Sequence, residues 1–104
     1  DTMAWFWNHY MGDVDCAQEP RASVLHCADG ALPGLPPALV ITAEFDPLRD
    51  EGEAYAERLR AAGVACEASR YDGVIHGFFS MGDAIPEGKA AIDEAGEALR
   101  RALA

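Results

Sequence analysis

The sequence has few basic residues. Among its 104 residues, 8 lysines and arginines stand against 18 aspartates and glutamates, so the formal net charge is −10, and Lys89 is the only lysine. Nucleic acids and anionic membrane surfaces bind clusters of Lys and Arg. The charge balance therefore argues against both kinds of partner.

Long apolar runs are also missing. No uninterrupted apolar segment approaches the roughly 18 residues that a membrane-spanning helix requires, although 50% of the residues are hydrophobic. An apolar share of this size excludes an extended disordered chain. The composition therefore predicts one globular domain at most, with no membrane span.

Cysteines are few and widely spaced. Cys16, Cys27 and Cys66 show no C-x-x-C spacing, which argues against a zinc site and a thioredoxin-type redox motif. We expect reduced, structural cysteines and a cytoplasmic location, with a Cys16–Cys27 disulfide as the alternative. The chain begins at Asp1, without a signal-peptide pattern, and we expect it to start inside a longer protein.

Two strand patterns and the helix between them predict a βαβ unit. The apolar run at residues 38–43 is typical of a strand buried on both faces, and residues 64–71 alternate as a less buried strand near a sheet edge does. Between them, Asp50 predicts a helix N-cap and Gly63 a C-cap. Asp72-Gly73 then predicts a turn. Because a helix with short loops connects them, the two strands are expected to be parallel.

A helix is predicted near each end of the chain. The first ends at Gly12, and its aromatic density predicts burial in the core rather than contact with a substrate. The second begins at Pro86, with one apolar face and one solvated face. The apolar residues at helical spacing are Met3, Ala4, Trp5, Phe6, Trp7, Tyr10 and Met11 in the first, and Ala91, Ile92, Ala95, Leu99, Ala102 and Leu103 in the second.

Two residues that bear chemistry follow the predicted strands. Asp46 lies just past the first strand and His76 just past the second. The carboxyl ends of parallel strands share one sheet edge, where ligands and catalytic groups collect. An Asp bound to one His nitrogen fixes the tautomer and leaves the other nitrogen able to accept a proton. The alternative is that Asp46 opens a turn before Pro47 and that His76 is an ordinary loop histidine. Spacing alone does not decide between them.

No serine matches the nucleophile motif of such a triad. Ser23, Ser69 and Ser80 all lie outside a G-x-S-x-G sequence, and the chain contains no H-G-G-G oxyanion segment. The cysteines do not stand at evident strand-to-helix turns, which argues against a cysteine nucleophile. The nucleophile and oxyanion segments are thus absent from this sequence.

The run LPPALVITAEFDPLRDEG at residues 35–52, followed by H-G-F at residues 76–78, resembles a known family. It is similar to the C-terminal part of the hormone-sensitive-lipase-like branch of the α/β-hydrolases, which are bacterial-type carboxylesterases. The likeness covers most of the chain, since the aromatic helix before Gly12 also resembles that family. It implies an α/β fold in which residues 1–104 form the C-terminal portion of a hydrolase catalytic domain.

The resemblance also implies a site. Asp46 would be the acid and His76 the base of a serine esterase that acts on small-molecule esters, with neither metal nor organic cofactor. The serine and the oxyanion hole would come from the remaining N-terminal part of the hydrolase. Glu44 and Asp50 compete for the acid role, but Glu44 lies closer to the strand and Asp50 suits a helix cap.

Side chains near His76 complete the predictions. Phe78, Phe79 and Met81 follow the base directly and are candidates for substrate binding. The alternative is that they pack under the histidine loop.

The other two histidines are not expected to bind a metal. His9 is expected on a helix surface and His26 in a loop, because neither has a second metal ligand nearby.

A different class of function stays open, namely a non-catalytic binding or oligomerisation module derived from a hydrolase. Two parallel strands alone leave exposed edges that favour pairing with another chain, including a second copy.

Overall fold

The computed structural model describes residues 2–12 and 19–104, which form a parallel strand pair with flanking helices. In chain order the elements are α1 (Thr2–Met11), 3₁₀ turns at Val24–His26 and Asp29–Ala31, β1 (Ala38–Phe45), α2 (Arg49–Ala61), β2 (Cys66–Ile75), a 3₁₀ turn at Phe78–Met81, and α3 (Pro86–Leu103). β1 pairs with β2 in parallel, from Ala38 opposite Cys66 onward. The predicted βαβ unit is confirmed.

A helix packs against each face of the strand pair. Thr42 and Ala43 are successive residues of β1, so their side chains point to opposite faces, and both are buried. Thr42 faces α2, where a Cβ on Gly52 would lie 3.1 Å from its methyl group. Ala43 packs in a cluster with Ala91 of α3. A second cluster lies under α2 and comprises Cys27, Leu32, Leu59 and Val64.

The helix α2 starts one residue before the predicted cap. Leu48 precedes its first residue, Arg49, so Asp50 lies in the first turn and the predicted N-cap role is wrong. The carboxylate of Asp46 supplies an acceptor there instead, for the N–H of Leu48 at 2.8 Å. A negative charge in the first turn still suits the helix dipole. The C-cap is Ala62 rather than the predicted Gly63. Gly63 follows it with φ of +81°, the left-handed conformation that commonly ends a helix.

The helix α1 forms as predicted but is not buried. Trp5, Phe6 and Tyr10 are 56%, 61% and 67% exposed, so the prediction that they lie in the core is wrong for the described structure. Helical periodicity identifies an apolar face but not the layer that covers it. Here α1, residues 22–26 and the start of α2 border an open, mostly apolar groove of about 960 Å³.

Burial elsewhere is also lower than predicted. Only Thr42 and Ala43 of β1 are buried, whereas the apolar run predicted a strand buried on both faces. In α3 the apolar face is covered at Ala91 but exposed at Leu99 and Leu103. The reason is the same for both elements. The two strands and the helices of residues 2–12 and 19–104 form too few layers to cover the apolar faces of β1 and α3.

The predicted turn at Asp72-Gly73 is instead a bulge inside β2. The register changes from Ala43 opposite Tyr71 to Phe45 opposite Ile75. β2 therefore places residues 72–74 where β1 places Glu44 alone. Gly73 adopts φ of +78°, a conformation that glycine reaches without steric cost.

Cys27 and Cys66 are free thiols, Cys27 being buried. Cys16, its alternative partner in a disulfide, lies outside the described residues. Within the part of the chain that the structure describes, no helix is long and apolar enough to cross a membrane.

Candidate active site

The ends of β1 and β2 bring Asp46 and His76 together. The Oδ2 atom of Asp46 lies 2.8 Å from Nδ1 of His76. The Asp46 side chain is only 13% exposed, whereas the imidazole is 65% exposed. The carboxylate is thus set into the fold and holds one edge of an open histidine ring.

Hydrogen bonds keep the Asp46 carboxylate ionised. Partial burial by itself would raise its pKa, but the Leu48 N–H and the His76 ring outweigh this effect and hold the pKa of Asp46 below its usual value. An ionised carboxylate only accepts hydrogen bonds, so the neutral His76 ring must carry its proton on Nδ1. Its Nε2 lone pair is then available for a proton, and no described residue hydrogen-bonds to Nε2.

The apolar candidates after His76 divide into two groups. Phe78 is buried with Val74 and Ala91, and its ring lies 5.2 Å from that of Tyr71. This position favours the packing alternative for Phe78. Phe79 and Met81 are exposed on the same 3₁₀ turn, so a role in substrate binding stays a prediction for these two residues.

The competing acids have other partners. Glu44 accepts a hydrogen bond from the backbone N–H of Gly73 at 2.7 Å, and Asp50 pairs with Arg49 at 2.8 Å. His9 binds the backbone oxygen of Trp5 on an exposed helix surface. His26 bonds to Ser23 and lies in the 3₁₀ turn at Val24–His26. Among these groups, Asp46 alone contacts His76.

Sequence reasoning missed the supports of this site. Arg49 Nη1 donates to the backbone oxygen of Glu44 at 2.8 Å, and the Glu44 carboxylate holds the bulge of β2. On the other face, Tyr71 donates to Glu94 of α3 at 2.8 Å. The run of charged residues around Asp46 could have indicated such supporting contacts. Their hydrogen-bond partners, however, depend on the strand register, which the sequence does not specify.

The donor set of the described residues does not suit a metal ion. Across residues 2–12 and 19–104, no group of three or more His, Cys, Asp or Glu side chains is placed to hold one.

A parallel βαβ unit with an Asp–His pair at the carboxyl ends of its strands is compatible with the α/β-hydrolase fold. The chain belongs to the alpha/beta hydrolase fold family, whose model matches residues 1–80. This membership confirms the predicted fold class, and the relatives below confirm the resemblance to carboxylesterases.

Several characterised proteins are similar to this chain. The carboxylic ester hydrolase LipN of Mycobacterium tuberculosis is 46% identical over 78 residues, which cover 74% of this chain and 20% of LipN. An ethyl acetate hydrolase of Pseudomonas putida is 37% identical over 102 residues, covering 98% of this chain and 31% of that enzyme.

Solved structures give the same result. The crystal structure of a thermostable esterase from Pseudomonas putida ECU1011 superposes with a TM-score of 0.92 at 47% sequence identity, covering 98% of this chain and 33% of the esterase. This chain therefore spans 20% to 33% of the length of these relatives.

Proposed function

We propose that this chain supplies the acid and the base of a serine carboxylic-ester hydrolase. The observation that carries the proposal is the 2.8 Å hydrogen bond between Asp46 and His76 at the carboxyl ends of two parallel strands. In this assignment Asp46 orients the imidazole and stabilises its protonated form. His76 is the general base and later the general acid.

The chemistry follows from the tautomer. Nε2 of His76 takes the proton of a serine hydroxyl while the serine oxygen bonds to the ester carbonyl carbon. Collapse of the tetrahedral intermediate breaks the bond to the alcohol oxygen, which receives that proton from His76. A water molecule, activated by the same nitrogen, then hydrolyses the acyl-enzyme and frees the serine.

The sequence contains no motif for the nucleophile serine or for the oxyanion hole. We assign residues 1–104 to the C-terminal portion of the catalytic domain, and we assign the serine and the oxyanion donors to an N-terminal partner segment. The substrates are small-molecule esters, which Phe79 and Met81 contact beside the base. The chemistry requires no cofactor. The free thiols of Cys27 and Cys66 support a cytoplasmic location.

The test is a fusion in which this chain replaces the matching third of the Pseudomonas putida thermostable esterase, which is 47% identical to it. We expect the fusion to hydrolyse a p-nitrophenyl ester, and we expect His76→Ala to lower kcat by about 10³-fold or more. His26→Ala is the matched control, since His26 bonds only to Ser23 in the described structure. Turnover that survives His76→Ala would refute the assignment.

One observation favours a second candidate, a binding or oligomerisation module. The exposed aromatic residues of α1 border a groove of about 960 Å³, an apolar surface of the kind that protein partners cover. Gel filtration and mass measurement of the 104-residue chain separate the two. A stable monomer or homo-oligomer supports the module, whereas aggregation supports a portion of a larger catalytic domain.

A further inference from the structure

The bulge in β2 lies three residues before His76, and its backbone donates a hydrogen bond to a carboxylate of β1. Where β1 contributes Glu44 alone, β2 contributes residues 72–74. The N–H of Gly73 projects from this irregular segment and donates to Oε2 of Glu44 at 2.7 Å. The backbone oxygen of Glu44 is itself held by Arg49 at 2.8 Å.

Removing the bulge would move His76 away from Asp46. A strand advances about 3.3 Å per residue, so loss of the two additional residues would shift the end of β2 by about 7 Å along the sheet. The present contact between Asp46 and His76 is 2.8 Å long. A shift of this size would break it.

The side-chain pattern of β2 does not exclude such a slip. A one-residue slip moves every side chain to the other face, so burial opposes it strongly. A two-residue slip leaves each side chain on its own face, and the alternation of β2 would be kept. A specific contact is therefore needed to select the bulged register.

We infer that Glu44 is a positioning residue, which holds β2 in its bulged register through the N–H of Gly73 and thereby places His76 beside Asp46. The inference rests on the proposed acid–base roles of Asp46 and His76. Glu44 does not contact the reacting atoms in this assignment. A carboxylate suits the task because its hydrogen bond to a backbone N–H is charge-assisted.

The first test is independent of turnover. In the ¹⁵N-labelled esterase fusion at neutral pH, we expect the amide proton of Gly73 to resonate further upfield in Glu44→Gln than in the wild type, because a neutral acceptor replaces the charged one. A Gly73 signal that Glu44→Gln leaves unchanged would overturn the inference, even if larger truncations of Glu44 fail to fold.

The second test uses the esterase fusion. We expect Glu44→Ala to lower kcat by about tenfold to a hundredfold, because displacement of a catalytic group by an ångström or more has effects of this size, with KM changed by less than about twofold. Glu44→Gln keeps an acceptor oxygen and should retain most of the turnover. Glu57→Ala removes an exposed carboxylate of α2, which pairs with Arg60, and serves as the control.

Two results separate this inference from the proposed function. If His76→Ala leaves the turnover intact, the proposed function fails, while the Gly73 amide shift in Glu44→Gln still tests the contact with Glu44. If His76→Ala abolishes turnover but Glu44→Ala retains wild-type kcat, the proposed function stands and the positioning role of Glu44 is overturned.

Discussion

Gly88 lies where α3 approaches the 3₁₀ turn that follows His76. A Cβ at this position would lie 2.6 Å from the backbone oxygen of Phe78, 2.9 Å from the backbone nitrogen of Gly82 and 3.0 Å from the carbonyl carbon of Met81. These are backbone atoms, which cannot rotate away as a flexible side chain can. Gly88→Ala therefore requires α3 or the turn to move.

The size of the effect follows from two opposing contributions. Alanine favours a helix over glycine by about 0.5–1 kcal/mol, whereas forcing a methyl group into a filled site costs about 1–3 kcal/mol. The net prediction for Gly88→Ala is a loss of up to about 2.5 kcal/mol in the free energy of unfolding. Gly96 provides the control, because a Cβ there meets nothing within 4 Å. Gly96→Ala should stabilise by the helix contribution alone.

Urea unfolding of the two variants, made in the esterase fusion and followed by circular dichroism, measures both changes in the free energy of unfolding. We expect Gly88→Ala to unfold at lower urea than the wild type and Gly96→Ala at higher urea. In the esterase fusion, Gly88→Ala should also lower kcat, since the displaced turn begins two residues after His76. Equal stabilisation by the two substitutions would refute the close approach of α3.

Three further predictions concern the surroundings of the site. Because the fold lowers the pKa of Asp46, its ionised form stabilises the structure above the ordinary carboxyl pKa of about 3.9, and this contribution is lost as pH falls through the lowered value. The free energies of unfolding of the wild type and Asp46→Asn should therefore converge at low pH. A difference that stays constant with pH would contradict this. Phe78→Ala should cost about 3–5 kcal/mol, because the ring is buried, whereas the exposed Phe79→Ala should cost about 1 kcal/mol or less by the same urea assay; equal costs would contradict the described packing. Burial, together with the hydrogen bond to Glu94, raises the pKa of Tyr71 to about 12. The stabilisation from this contact is therefore present below the ordinary tyrosine pKa and lost as pH rises through about 12. We expect a step in tyrosine absorbance near pH 12 that Tyr71→Phe removes, and the absence of this step would contradict the prediction.

The main elements of the fold were predictable because they depend on local patterns. The apolar run at residues 38–43, the helix ending before Gly63 and the alternation at residues 64–71 gave the parallel βαβ unit. The topology then placed Asp46 and His76 at one sheet edge, since parallel strands end on the same side.

The features that were not predicted depend on pairing and on neighbouring layers. Asp72-Gly73 has the composition of a turn, and only the pairing with β1 makes it a bulge. The partner of Glu44 follows from the same register. The aromatic face of α1 predicted burial, but in the described structure the groove beside it stays open. A periodic pattern specifies an apolar face and carries no information about what lies against it.

In the proposed function, the carboxylate of Asp46, just past the end of β1, fixes the tautomer of His76 for proton transfer. The most direct measurement is a long-range ¹H–¹⁵N spectrum of the His76 ring at neutral pH, in the wild type and in Asp46→Asn. We expect a proton on Nδ1 and an unprotonated Nε2 in the wild type, with the proton moved to Nε2 in Asp46→Asn. A wild-type ring protonated on Nε2, or a spectrum that Asp46→Asn leaves unchanged, would contradict it.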